Sequence, residues 1–289
     1  MAGLPGILFD GIAYGMLLFL VSVGLSVTLG MMNFINLAHG VFAMAGGYLL
    51  VTLMGSAGIG FLAALPLVFV CTAAASLLLE RTLYRPLYRA THLKQVLLTV
   101  GIIFVAVAAA TWGWGPQQQP VALPPYLGGQ VSVLGLELSR YRLFLVAVGI
   151  AVTLVLVFGL ERTRFGARIR ASVDRQATAE AMGIHVGRVF QLTLAVGSGL
   201  AGLGGALGVN VLGLDPYFPL KTLVYFLLVV VVGGAGSVRG TLLAALLLGV
   251  ADTAGKYYVP EVGAFIIYAA MVLLLLAFPR GLVVRRGFA

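Results

Sequence analysis

Charged residues are scarce in this chain. Only 9% of its 289 residues are Asp, Glu, Lys or Arg, against roughly 25% in an average soluble domain. Hydrophobic residues make up 61%, and the mean hydropathy is +1.09. A soluble globule cannot hide that much apolar surface, so a soluble enzyme, a nucleic-acid-binding domain and a disordered chain are excluded. The composition predicts an all-α polytopic membrane protein with a single transmembrane domain over residues 1–289.

Several chemical groups are equally scarce. The one cysteine, Cys71, can form no intrachain disulfide and is expected to be a small core residue. No Lys or Arg precedes Arg81, so the basic n-region of a cleavable signal peptide is missing, and the first apolar stretch should stay as a membrane segment. A serine protease built on Ser198 would need a histidine base on a nearby helix, but the three histidines lie in a break (His39) and in two basic loops (His92 and His185). No second ligand accompanies His39, so we expect neither a catalytic centre nor a metal site.

Nine uncharged or nearly uncharged stretches are long enough to be considered as membrane segments. A crossing needs roughly 20 apolar residues, and three stretches (40–54, 222–233 and 241–254) are too short to cross comfortably. Each of these three adjoins a Gly-rich or polar break. The expected bundle therefore has eight or nine segments, some of them short or broken. The approximate limits are 7–29, 40–54, 61–79, 95–115, 141–160, 189–213, 222–233, 241–254 and 262–278.

The 18 Lys and Arg residues, against nine Asp and Glu, predict orientation. They cluster in the loops 80–94 and 161–188 and in the tail after Pro279. Under the positive-inside rule, we place these three regions, including the C-terminus, in the cytoplasm. The Pro- and Gln-rich stretch 116–140 should then be external and form a small cap or a short strand pair.

Chain parity tests the short segments. If 222–233 and 241–254 each cross the membrane, both Arg239 and the C-terminal tail lie in the cytoplasm and the N-terminus lies outside the cell. If one of these short segments enters and leaves the membrane on the same side, the number of crossings and the side of the N-terminus change.

The first break carries three polar residues at three-residue spacing: Asn33, Asn36 and His39. At membrane depth such side chains need partners or water, and they tend to face a cavity or another subunit. A helix cap at the membrane surface, with Asn33 as N-cap, is the alternative. The interpretations of a cap and of a pathway lining both stay open.

The second break is Gly233-Gly-Ala-Gly-Ser-Val-Arg-Gly240. Broken apolar segments in corresponding positions of two halves point to a substrate path, and glycines permit an unwound backbone. The pathway candidates here are Gly233, Gly234, Gly236 and Ser237. A plain tight turn is the alternative, and a phosphate-binding loop is excluded because no Lys-Ser or Lys-Thr follows the glycines.

Small residues recur at four-residue steps along segment 189–213. One series is Gly197, Ala201 and Gly205, and a second is Gly204 and Gly208. In lipid this spacing lets helix backbones approach closely. It predicts helix packing rather than chemistry.

The loop 163–187 predicts a short Ala-rich helix from Asp174 to Met182. Asp174 is a suitable N-cap, and Gly183 is a suitable terminator that Ile184 follows as an apolar plug. Such a helix between arginines can dock in a groove of a cytosolic partner. It can also lie on acidic lipid.

Acidic residues inside the segments are nearly missing. Asp10 and Asp252 lie near segment ends, and Glu80 lies at a loop edge. Ion-coupled carriers usually need buried ionisable groups, and the chain has no GxxxxGK[ST] motif with which to bind ATP. The sequence therefore resembles a pore without its own source of energy.

These patterns together resemble the permease subunits of branched-chain amino acid ABC importers, the LivH family. The match is collinear over essentially the whole chain. It rests on Asn33–Gly40, the Glu80-Arg81…Tyr84-Arg85-Pro86-Leu87 loop, Gly166–Gly183, the GGxGSxxG pattern of Gly233–Gly240, and Pro279-Arg-Gly281.

The resemblance implies roles and partners. It implies a coupling helix with an Ala179-Glu-Ala-Met-Gly183 core, although Ala177-Thr178-Ala179 stand where other importers have Glu-Ala-Ala. It also implies a second, LivM-like permease subunit, two ABC ATPase subunits that carry ATP and Mg, an extracytoplasmic binding protein and a prokaryotic cytoplasmic (inner) membrane. The expected coupling residues are Gly166, Arg170, Asp174, Ala179, Gly183 and Ile184.

The substrate stays open within this resemblance. Branched-chain or similar amino acids are expected, without a cofactor or nucleic acid bound to this chain. Import of urea or short amides, or ion-coupled secondary transport, are the alternatives.

Overall fold

The computed structural model describes residues 3–32, 34, 36–88, 90–133, 135–174, 176–279 and 281–283. These residues form eleven α-helices and one antiparallel hairpin. The helices are α1 Leu4–Met32, α2 His39–Gly55, α3 Phe61–Leu79, α4 His92–Trp114, α5 Arg140–Arg162, α6 Arg164–Asp174, α7 Gln176–Ala181, α8 Val186–Leu212, α9 Phe218–Gly233, α10 Val238–Tyr258 and α11 Gly263–Ala277; the strands are β1 Gln130–Val133 and β2 Leu136–Ser139. A π-helical turn, Glu80–Tyr84, and a 3-10 turn, Arg85–Leu87, extend α3.

Each of the nine predicted apolar stretches contains a helix, and the all-α polytopic fold is confirmed. Within the described residues, six helices are long and apolar enough to cross a membrane, while α2, α9 and the apolar part of α11 are shorter.

Two predicted lengths were wrong. The 241–254 stretch belongs to the 21-residue α10, which is long enough, because the Ser237 side chain caps its first turn and Asp252 pairs with Lys256 in its last turns. The 262–278 stretch holds only the 15-residue α11. Pro260 and Pro279 flank it and limit helical extension on both sides.

The membrane-type helices alternate in direction between two ends of the bundle. We call the end that carries residues 115–139 the hairpin face, and the end that carries residues 163–185 the basic face. The start of α1 lies at the hairpin face, where Asp10 forms an ion pair with Arg142. Helix α10 runs antiparallel to α1, because Lys256 lies over the Tyr14 ring and Thr241 bonds Ser26 further along α1. This direction agrees with the predicted parity.

Helices α1 and α8 form the centre of the bundle. In both, 83% of the most apolar 18-residue stretch is buried, against 11% in α5. A Cβ atom at Gly24 would clash with the Gly197 backbone, and one at Gly205 would clash with Ala43. The predicted close helix packing along α8 is therefore confirmed, since glycine removes the side chain that would hold the backbones apart.

Cys71 does not lie in the core, contrary to prediction. It is exposed on α3, whereas Thr72, beside it, faces α8 at Gly202. A small apolar residue on a lipid-facing side loses nothing by exposure, because lipid tails are as apolar as a protein core.

The 116–140 stretch contains the expected strand pair. Strands β1 and β2 pair with Gln130 opposite Ser139 and Val133 opposite Leu136. The amide of Gln119 donates to the Leu214 carbonyl at 2.8 Å, which ties the segment before the hairpin to the end of α8.

Candidate functional site

The first break places polar side chains deep inside the bundle. Asn36 and His39 are both buried, and Asn33 lies outside the described residues. The His39 imidazole Nε2 lies 3.0 Å from the Val21 carbonyl oxygen of α1. Val21 is eleven residues from Met32, the end of α1, and that distance is about 16 Å along the helix. His39 is the first residue of α2, so this helix begins well inside the bundle.

Several of these buried polar atoms have no hydrogen-bond partner among the described residues. A carbonyl oxygen only accepts, so Nε2 of His39 donates to Val21 and its Nδ1 is left as an unpartnered acceptor. The Asn36 Nδ2 amide is likewise unpartnered, as are the hydroxyls of Ser22 and Ser198. An unpaired buried polar group costs about 1–3 kcal/mol. Several such unpaired polar atoms close together are typical of a binding site rather than of helix packing.

Contacts between the helices bring these groups into one layer. Ser22 adjoins Val21, to which His39 bonds, and Ser198 adjoins Gly197, whose backbone packs against Gly24. Val21 and Gly24 are one helical turn apart on α1. This level of the bundle therefore holds both donors and acceptors that have no partner among the described residues.

Aromatic and acidic groups extend this layer toward the basic face. The Tyr84 hydroxyl donates to Asn36 Oδ1 at 3.5 Å, and the Phe34 and Tyr84 ring centroids are 5.4 Å apart. The Tyr88 hydroxyl donates to Glu80 Oε1, and the Gln191 amide donates to Glu80 Oε2, both at 3.0 Å. Burial, and then the Glu80 carboxylate, raise the pKa of Tyr88, so the phenol stays protonated and remains a donor.

Sequence reasoning placed Glu80 at a loop edge, and the structure buries it instead. The π-helical turn is part of the cause, because it continues the helix through Glu80 and keeps the carboxylate within the reach of α8. Tyr84 and Gln191 were not singled out as site residues. Tyr84 does lie within the Glu80–Leu87 motif, which was the available signal.

The second break is a closed turn. Ser237 Oγ accepts from the Gly240 amide at 3.0 Å, and the Gly236 amide donates to the Ser26 carbonyl at 2.9 Å. Gly234 and Gly236 have φ of 87° and 83°, which favours glycine. A Cβ at Gly240 would clash with the Gly233 carbonyl oxygen. This geometry is that of the tight turn, while a pathway role for Gly233, Gly234, Gly236 and Ser237 stays a prediction.

The structure brings the two breaks near one another. Gly30, close to the end of α1, contacts Gly236 backbone to backbone, and Gly40 at the start of α2 contacts Pro219 at the start of α9. The polar layer is thus bordered by α1, α2 and α8, with the closed turn supporting the end of α1.

At the basic face, the predicted coupling loop contains two helices where one was expected. Asp174 is the last residue of α6, so its assignment as the N-cap of a helix from 174 to 182 was wrong. The helical segment starts ten residues earlier, at Arg164. There the Thr163 hydroxyl accepts from the Gly166 amide and satisfies a free donor of the first turn.

The remaining predicted coupling residues divide into two groups. Gly166 and Arg170 fasten α6 to α5, because a Cβ at Gly166 would clash with the Leu160 backbone and the Arg170 guanidinium donates to the Leu160 carbonyl.

Gly183 ends the loop helix, as predicted, with φ of 81° and a backbone amide that donates to the Glu180 carbonyl. Ala179 is buried, and its carbonyl accepts from the half-buried Ile184. Met182, between them, is 78% exposed.

Charged residues gather in a separate cavity at the hairpin face. Asp10 pairs with Arg142 and Asp252 pairs with Lys256, and all four line one cavity of about 230 Å³. The two ion pairs balance in charge and fix the ends of α1, α5 and α10 to one another. Among the described residues, no group of three or more His, Cys, Asp or Glu is arranged to hold a metal ion.

Comparisons with known proteins agree with this architecture. The chain is 26% identical to the high-affinity branched-chain amino acid transport system permease protein BraD of Pseudomonas aeruginosa, over 96% of this chain and 95% of that protein. It is 27% identical to LivH of Salmonella typhimurium, over 96% and 94%. Identity to LivM of the same organism is 25%, over 92% of this chain and 68% of that protein. No solved structure matches the chain.

A family model covers nearly the whole bundle. It is described as "Branched-chain amino acid transport system / permease component" and matches residues 7–275. The matched range runs from α1 to α11 and includes both breaks and the α6–α7 loop. The chain therefore belongs to the permease-component family of branched-chain amino acid transport systems.

Proposed function

We propose that this chain is the translocating subunit of an ATP-driven importer of branched-chain or similar amino acids. The observation that carries the proposal is the layer of buried polar groups around Asn36 and His39 that have no partner among the described residues. Polar groups at this depth are expensive unless they meet a ligand or water.

The donors and acceptors of this layer suit an amino acid. The Asn36 amide can donate to a carboxylate, and the free His39 Nδ1 can accept from an ammonium group. The Ser22 and Ser198 hydroxyls can do either. The apolar helices around the layer suit an aliphatic side chain, in agreement with the substrates in the names of BraD and LivH. Selectivity is expected to reside mainly in a binding protein.

Energy would come from other subunits through the α6–α7 loop. Helix α6 is fastened to α5 at its start, so a force on α7 passes to a membrane-type helix. Met182 and Gly183 are exposed beyond the buried Ala179, as a docking tip requires. The importer would contain two ATPase subunits that carry ATP and Mg, and this tip would bind to that pair.

The proposed orientation follows from charge. The basic face, with the arginines of 161–188, would lie in the cytoplasm together with the C-terminus, and the hairpin face would meet the extracytoplasmic binding protein. The membrane would be the inner membrane of a prokaryote. A second, LivM-like permease subunit would complete the pore, and the similarity of this chain to LivM supports such a pair of related subunits.

The test is reconstituted uptake with a variant at the docking tip. The chain, co-purified with the products of its neighbouring genes, should take up leucine into proteoliposomes when ATP is present on the side of the basic face. Met182→Glu should lower ATP-dependent uptake at least about tenfold, roughly 1.4 kcal/mol, because a charge enters an apolar contact. Co-elution with the ATPase should fall in parallel.

The matched control is Leu93→Glu, which adds the same charge at another exposed position (68%) near the same face. Its uptake and co-elution should stay close to those of the unmodified chain. Normal uptake by Met182→Glu would contradict the docking role. Leucine uptake by the chain alone, driven by an ion gradient, would contradict the ATP-driven importer.

A further inference from the structure

Three cavities follow one another along the outer side of α8, starting at the basic face. The first, of about 390 Å³, lies between α6 and the start of α8. It shares Phe165 with a small apolar cavity, of about 30 Å³, between α1, α5 and α8. That cavity shares Leu156, Val196 and Leu200 with a third, of about 280 Å³, between α5 and α8. The shared wall residues place the three cavities next to one another along α8, and we call this row of cavities the α5–α8 groove.

The groove changes chemically along its length. At the basic face it is lined by Arg168, His185 and Arg188, which are all exposed, and none of its nine lining residues there is acidic. Met182 and Gly183 of the docking tip form its outer rim, so a lipid held by the arginines would lie beside a docked ATPase. The third cavity is lined entirely by apolar side chains. Val155 and Val196 on its walls remain exposed in the described structure. One end is therefore suited to an anion and the other to hydrocarbon.

The dimensions match a lipid in one leaflet. Arg188 and Leu203, which line opposite ends of the groove, are fifteen residues apart on α8, or about 22 Å. Half of a bilayer core is about 15 Å thick, with a headgroup layer of several ångströms outside it. An acyl chain that begins at the arginines therefore reaches the end of the groove.

We propose that the α5–α8 groove binds one anionic phospholipid, with its phosphate between Arg168 and Arg188 and one acyl chain along Leu156 and Val196. Arginine binds phosphate through charge-assisted hydrogen bonds, and basic residues at the membrane surface attract anionic headgroups. A peripheral ATPase can reach the arginines but not the apolar part of the groove inside the membrane. A neighbouring membrane helix can fill the apolar part, but the cytoplasmic ends of such helices are enriched in Lys and Arg, which makes them a poor match for two arginines. A phospholipid satisfies both ends at once.

The site is tested on the purified protein, alone and assembled with its partner subunits, by native mass spectrometry in detergent. The protein is titrated with a 1:1 mixture of dioleoyl-phosphatidylglycerol and dioleoyl-phosphatidylcholine. One phosphatidylglycerol should remain bound in preference to phosphatidylcholine. Arg168→Gln with Arg188→Gln should weaken its binding about 30-fold, since each arginine near an anionic headgroup contributes a factor of about five.

The matched control is Arg81→Gln with Arg85→Gln, which removes two exposed arginines from the other loop near the basic face. It should bind phosphatidylglycerol as the unmodified protein does. A second variant, Val196→Trp, fills the apolar part of the groove and leaves the arginines in place, and it should also lose the bound lipid.

Three results would overturn the proposal. They are equal losses in both double arginine variants, displacement by glycerol phosphate at the concentration of the lipid, and loss of the lipid when the ATPase subunits assemble. The first would show unspecific charge attraction, the second a phosphate site, and the third a protein-docking surface. None of them bears on whether the chain transports amino acids.

Discussion

The two breaks in the bundle both interrupt apolar segments, yet their structures differ. Both interrupt apolar segments with small and polar residues, and sequence reasoning offered both as pathway candidates. The first, at 33–38, leaves Asn36 and His39 with unpartnered atoms among the described residues. In the second, Gly233–Gly240, the Gly236 amide donates to the Ser26 carbonyl of α1 and the Gly240 amide donates to the Ser237 hydroxyl.

The difference shows how a binding site can be distinguished from a structural turn. Both breaks remove backbone groups from helical hydrogen bonding, and in each the polar groups must find partners. Where the protein supplies the partners, as around Ser237, the break stabilises the fold. Where the protein leaves buried donors and acceptors open, as around His39, the break is available to a ligand. Four substitutions sharpen this contrast.

The largest expected effect is on the closed turn. Gly30→Val places a Cβ against the Gly236 backbone, where no flexible side chain can move aside. Overpacking of this kind costs about 3 kcal/mol, so we expect a lower melting temperature in detergent and poor recovery of folded protein. Gly101→Val is the control, since no atom lies within 4 Å of its Cβ position. Equal melting temperatures of the two variants would mean that the breaks are not packed together as described.

The next effect is on transport at the polar layer. His39→Leu should lower leucine uptake at least about tenfold, because the free Nδ1 acceptor is lost. Its melting temperature should change little, since the lost hydrogen bond to Val21, about 1 kcal/mol, is offset by removal of an unpartnered buried nitrogen. Asn36→Leu should lower uptake in the same way, but it should also lower the melting temperature, because it removes the acceptor of the buried Tyr84 hydroxyl. Unimpaired uptake by both variants would remove the layer from the substrate path.

The smallest expected effect is a loss of stability at the closed turn without a loss of transport. Ser237→Ala removes the side-chain cap of α10 and should cost about 1 kcal/mol of stability. Uptake by the protein that remains folded should be unchanged, as measured per mole of folded protein in proteoliposomes. If uptake falls by the same factor as in His39→Leu, the second break is also part of the path, as the Gly-rich pattern suggested.

Much of the fold was predictable because hydropathy is a local property. The nine apolar stretches, the strand pair within 116–140, the glycine packing along α8 and the Gly183 terminator all follow from patterns of a few residues. The errors arose where a distant contact decided the outcome. Cys71 faces outward because its neighbour Thr72 takes the side toward α8, and Glu80 is buried because Gln191, more than one hundred residues away, bonds it.

The loop helices show the same limit at shorter range. Asp174 was a reasonable N-cap by residue type, yet α6 continues to it because Gly166 and Arg170 are held against α5. Local preference and tertiary contact compete here, and the contact is the stronger of the two.

The amino-acid sequence by itself determined that this protein lies in a membrane, how many apolar segments it has and which family it resembles, because these depend on composition and on spacing along one chain. Tertiary structure decided which of the two breaks holds open polar groups and where a basic patch continues into an apolar groove. The physical reason is that a polar atom is costly or useful only in relation to its partners. In this bundle those partners come from helices far apart in sequence.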